Sequence, residues 1–138
     1  MPSNLNPNLP PEAYLYRIPI NITSPGQTYL AANTQVQSNF QIVNFPFRWL
    51  LAAANSTGTF TCQIYDQGRT YYLSPAPLNN VNEWGTATQP MPLLTPYTFQ
   101  QNTQVQFTVK DTSGANNTIQ LVLIGYQIVP NGTYGATV

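Results

Sequence analysis

The sequence predicts an all-β fold: an antiparallel β-sandwich of about eight strands, with the jelly roll preferred among sandwiches. Three observations predict it. Thirteen prolines and eight glycines cut the 138 residues into short pieces, and β-branched and aromatic residues fill those pieces. Several pieces alternate apolar and polar residues, the pattern of a strand with one buried face. No stretch repeats its apolar residues at the helical spacing of about 3.6.

The elements follow in chain order. Residues 1–13 form an extended arm rich in Pro and Asn, because proline fixes φ and has no N–H to donate. The sandwich domain spans 14–130, and 131–138 form a C-terminal tail. The first strand covers 14–22, with Tyr14, Tyr16, Ile18 and Ile20 on one face. Ser24-Pro25-Gly26 then turns the chain. Residues 34–44 alternate cleanly: Val36, Ser38, Phe40 and Ile42 face inward, and Gln35, Gln37, Asn39 and Gln41 face out. A third strand, 47–53, places Phe47, Trp49 and Leu51 together.

Asn55-Ser56-Thr57-Gly58 reads as a hairpin into a strand over 59–66, where Cys62 shares the buried face with Phe60 and Ile64. Asp66-Gln67-Gly68 closes a second hairpin into 69–73, with Gly68 supplying a positive φ. Residues 74–92 are irregular and hold Trp84, and 96–99 form a short strand. Residues 103–110 point Val105, Phe107 and Val109 inward, and Asp111-Thr112-Ser113-Gly114 opens the loop after them. The last strand, 118–129, is the longest. Ile119, Leu121 and Leu123 mark one face and Val122, Ile124, Tyr126 and Ile128 the other, so it is either central or meets another subunit.

Charge is scarce: four Lys/Arg, four Asp/Glu and no His, 6 % of the chain against roughly 25 % in ordinary domains. Arg17, Arg48, Arg69 and Lys110 are too few and scattered to bind nucleic acid or an acidic membrane surface. No apolar run approaches the roughly 18–20 residues of a spanning helix. The start has neither the basic nor the apolar region of a signal peptide. Without one, the Asn-x-Ser/Thr matches at Asn21, Asn55, Asn116 and Asn131 read as chance occurrences in an Asn- and Thr-rich chain.

The same scarcity excludes most catalysis. Without His there is no His-based metal site or Ser-His-Asp arrangement, and one Cys makes neither a zinc-thiolate site nor an intrachain disulfide. Asp66 with Glu83 is a thin basis for a glycosidase. Asp111 is a thin basis for calcium, and both aspartates are explained by turns. No enzyme activity, metal or cofactor is therefore expected. Tyr71, Tyr72, Trp84 and Tyr97 would make a sugar-binding platform, or simply bridge core and surface as aromatic residues do in sandwiches.

Three stretches carry a further signal: FRWLLAAANSTGTFTCQIYDQGRTYYL, GTATQPMPLLTPYTFQQNTQVQFTVKDTSG and NNTIQLVLIGYQI. In order they give a strand, a Ser-Thr-Gly turn and a strand ending in Asp before Gly-Arg. A Pro-rich crossing follows, then a Ser-Gly loop, and an apolar strand closes in Gly125-Tyr126. In this order residues 47–128 resemble a family of small β-sandwich proteins in the virions of tailed bacteriophages. The resemblance implies a decoration or cement protein on the capsid exterior, bridging capsomers through the major capsid protein. That places it in the host cytoplasm during assembly and on the virion afterwards.

The composition fits such a role on its own terms. Uncharged amide and hydroxyl contacts resist salt and avoid the desolvation cost of buried charge, and symmetric copies add avidity. A homodimer or homotrimer is expected. Leu5, Leu9, Tyr14 and Tyr16 are the candidate contacts to capsid or neighbour, since the arm offers its leucines no core of their own. The alternatives are a carbohydrate- or receptor-binding head of a phage fibre, and a head-completion or tail component.

Overall fold

The structure is a computed structural model and describes residues 15–128. It contains nine strands and one helical turn: β1 Tyr16–Ile22, β2 Gln35–Gln41, β3 Phe47–Ser56, β4 Phe60–Asp66, β5 Tyr71–Tyr72, β6 Leu78–Asn79, α1 Asn80–Glu83, β7 Met91–Phe99, β8 Gln104–Asp111 and β9 Ile119–Gln127. One sheet runs β1-β9-β3-β7 and the other β2-β8-β4-β5, with the short β6 also on β4.

This order is a jelly roll. The antiparallel pairs β1/β9, β2/β8, β3/β7 and β4/β5 are nested like one long hairpin whose tip is the turn after Asp66. Rolling that hairpin up brings β9 beside β3 and β8 beside β4, which gives two facing sheets with Greek-key connections. Both sheets contribute to one core, in which Trp49, Phe47, Phe60, Phe99 and Phe107 are the largest fully buried side chains.

Several expectations need correction. Residues 55–58 do not close a hairpin. They arch from one sheet to the other, because β3 pairs with β9 and β7 while β4 pairs with β8. The buried Asn117 holds the arch: its Oδ1 accepts from Gly58 N–H (3.1 Å), and its Nδ2 donates to the Thr59 carbonyl (3.0 Å). Leu51 does not continue the inward face of Phe47 and Trp49. A bulge between Trp49 and Leu51 shifts the register, so Ala52 is buried next and Leu51 lies half-buried beside Ile124 and Pro92. At that point Gly125 lies opposite Trp49, and any Cβ there would run into the Arg48 carbonyl oxygen.

The strand expected over 96–99 starts at Met91. Pro92 and Pro96 are tolerated because β7 is an edge, where a missing donor breaks no ladder bond. The strand expected over 69–73 shrinks to Tyr71–Tyr72. In the turn before it the positive φ belongs to Thr70 (50°), not Gly68. Gly68 is needed instead for space, since a Cβ would strike the Thr103 hydroxyl. The irregular segment contains the single turn α1, which delivers Trp84 into the core at 4 % exposure, 5.9 Å from Trp49.

Candidate interaction surface

The outer face of the β2-β8-β4 sheet is the most distinctive surface. β8 and β4 bury alternate residues and β2 half-buries them, so the other set turns outward. Register places these in rows: Gln37, Thr108 and Gln63; then Asn39, Gln106, Tyr65 and Tyr72; then Gln41 beside Gln104. A further row holds Gln35, Lys110 and Thr61. Lys110 is the one charge in these rows. The remainder is a lattice of amide and hydroxyl groups, each able to donate and accept. The amide row of β2 is legible in the sequence. Its continuation across β8 and β4 is not, because that depends on register.

At one end of this sheet Gln41, Gln67, Gln100, Gln101, Asn102 and Gln104 line an open groove of about 470 Å³. Beside it, Asp66 is fully buried and takes three donors. Oδ1 accepts from Gly68 N–H (2.9 Å) and Arg69 N–H (3.3 Å), and Oδ2 accepts from the Tyr97 hydroxyl (2.6 Å). Burial, with the Asp66 bond and charge adding to it, pushes the Tyr97 hydroxyl up to about 12 against the opposing pull of Arg69. The Arg69 guanidinium lies 5.3 Å from the Tyr97 ring centre, and Tyr71 stacks parallel to Tyr97 at 6.5 Å.

The aromatic platform therefore forms only in part. Tyr71 and Tyr97 come together, Tyr72 pairs with Tyr65 at 4.5 Å, and Trp84 is in the core. Arg69 and Asp66 belong to the cluster, and no local pattern marks the cation above the ring.

The described carboxylates are occupied. Asp66 and Glu83 do not face each other as a glycosidase pair. Glu83 accepts from the Trp84 indole N–H (2.8 Å) and its charge acts on Cys62, while Asp66 lies four residues further along β4, ~13 Å of strand. Burial pushes the Glu83 carboxyl up to about 7, partly offset by that indole bond. Asp111 is equally engaged. Oδ1 accepts from Ser113 N–H, Ser113 hydroxyl and Asn117 amide, and Oδ2 from Asn33 and Gly114 N–H. Burial would raise its carboxyl, but these donors hold it well below the usual carboxylate range. With both oxygens so occupied, it is poorly placed to ligate a cation.

Cys62 is buried, and burial followed by the Glu83 charge raises its thiol well above the ordinary value; such a thiol is a poor nucleophile. Among the described residues no three His, Cys, Asp or Glu gather as metal ligands, and no helix is long and apolar enough to cross a membrane.

Of the candidate contact residues, Leu5, Leu9 and Tyr14 lie outside the described residues, as does the tail 131–138. Tyr16 begins β1, is 46 % exposed and meets Phe47 edge-on at 6.1 Å. β9 lies between β1 and β3. Its outward Ile124 and Val122 sit among Pro19, Leu51 and Ala53, and Tyr126 stands exposed at the end. Comparison with protein-family models, with curated proteins and with solved structures finds no match to this chain.

Proposed function

We propose that this chain is a non-enzymatic virion structural protein of a tailed bacteriophage. It decorates the capsid exterior and cements capsomers by binding the major capsid protein, as a homodimer or homotrimer, with no nucleic-acid or membrane partner. The observation that carries the reading is the amide-tiled outer face of β2, β8 and β4, with Lys110 its one charge. An array of mostly neutral donors and acceptors suits contact with another protein surface. Binding through it loses little to salt screening and buries little charge. Repetition around the shell converts weak single contacts into stable attachment.

The test mixes purified protein with expanded shells that lack it. Cosedimentation should persist at high salt. The double variant Gln106→Glu with Thr108→Glu, on the central strand of the face, should weaken binding at least about tenfold with little change in Tm. Deleting residues 1–13 should weaken particle binding more than it lowers Tm. No binding to any shell would remove the proposal.

A second reading, a glycan- or receptor-binding head of a fibre, is favoured by the Tyr71–Tyr97 stack beside the amide groove. Sugars stack on aromatic rings and hydrogen-bond to amides. Glycan-array binding lost in Tyr71→Ala would support it, and an empty array would remove it.

A further inference from the structure

β2 has the sequence Gln35-Val36-Gln37-Ser38-Asn39-Phe40-Gln41 and is paired on one side only, with β8. Just beyond its ends, the Thr34 carbonyl accepts from Asp111 N–H (2.9 Å) and Ile42 N–H donates to the Thr103 carbonyl (2.8 Å). Even-numbered residues therefore turn their main chain toward β8. In an antiparallel ladder the alternate residues turn theirs away. The N–H and C=O groups of Gln35, Gln37, Asn39 and Gln41 form a free edge that no described residue pairs.

The other edges are protected in familiar ways. β1 carries Arg17 and Pro19, β7 carries Pro92 and Pro96, and β5 is two residues long. β2 has no charge, proline or glycine, which is the condition that invites strand addition.

The strand is also close to a palindrome. Turned antiparallel on itself about Ser38, it sets Gln35 against Gln41, Val36 against Phe40, Gln37 against Asn39 and Ser38 against Ser38. This register pairs odd residues with odd residues, so every outward main-chain group finds a partner, about eight hydrogen bonds in all. The half-buried Val36 and Phe40 then stack across the joint, and the amide rows run on from one copy to the next. Residues 1–14 are a poorer occupant, because Pro2, Pro7, Pro10 and Pro11 leave 3–6 as their longest proline-free run.

We propose that two copies of this chain join edge to edge through β2, about a two-fold axis at Ser38, in one continuous sheet. This deepens the homodimer part of the reading above, and its test needs no capsid.

The full chain should run as a dimer by light scattering. Asn39→Pro removes one outward donor and leaves the β8 ladder intact. It should raise the dimer dissociation constant at least about tenfold with Tm little changed, whereas Phe40→Pro, whose N–H serves β8, should lower Tm. Gln37→Lys keeps every donor but brings two ammonium groups diagonally together across the axis. It should weaken the dimer at low salt and recover at high salt, which keeps the test available should the proline variant fail to fold. Ser38→Cys should cross-link two chains on oxidation, in preference to Gln37→Cys or Asn39→Cys.

A full chain that stays monomeric at its solubility limit would overturn the proposal, as would a dimer untouched by both edge variants. A dimer that forms only after deletion of 1–13 would place the chain's own segment on the edge and overturn it equally.

Discussion

Leu121→Asp should leave no folded protein. Leu121 is fully buried on β9, which lies between β1 and β3, and it sits in register with Ile20 and Ala54. The substitution removes a large core side chain and puts a carboxylate among Phe, Leu and Ile with nothing to pair it. Together these amount to on the order of 5 kcal/mol or more, against a total stability of about 5–15 kcal/mol for a typical domain. Circular dichroism and calorimetry should show no cooperative transition. A variant that unfolds near the parent Tm would mean β9 is not the middle of the sheet.

Asp111→Ala should be the second most damaging change, on the order of 4 kcal/mol. One carboxylate terminates three main-chain N–H groups and two side-chain donors from 33, 113, 114 and 117. It thereby ties the loop before β2 to the loop before β9. Its loss strands those donors and frees Asn117, which holds the arch between β3 and β4.

The same network gives the protein an acid dependence of definite sign. The folded Asp111 carboxyl lies well below its unfolded value of 3.8. Its contribution is therefore complete above the ordinary carboxylate range and is lost progressively as pH falls from there toward the much lower folded value. Urea titrations between neutral pH and about pH 3 should show the parent losing part of the stability that Asp111→Ala has already lost, so the two curves draw closer as pH falls. Parallel curves would contradict the network.

Much of this architecture was legible from alternation. β8 reads directly, since Val105, Phe107 and Val109 are flanked by Gln, Thr and Lys and every one of the three is buried. β2 reads as directly, and its outward amides already indicate an uncharged surface. What local pattern could not show is which strand pairs with which. The Asn55–Gly58 segment has hairpin chemistry but serves as an arch, because pairing partners are set by the rolled-up topology and not by the turn. Leu51 was misplaced because a bulge leaves no mark in a run of Trp, Leu and Ala. Pro92 and Pro96 hid most of β7, since proline excludes central strands but not edges. The Asp66–Tyr97–Arg69–Tyr71 cluster draws on β4, β5 and β7, and only the fold assembles it.

The proposed role is contact through uncharged faces. A density map of intact particles tests this most directly. The expected result is this chain in many copies on the shell exterior, bridging capsomers, with the amide face of β2, β8 and β4 against capsid protein. Complete particles without the chain, or copies confined to a fibre tip with the Tyr71–Tyr97 groove turned outward, would contradict it.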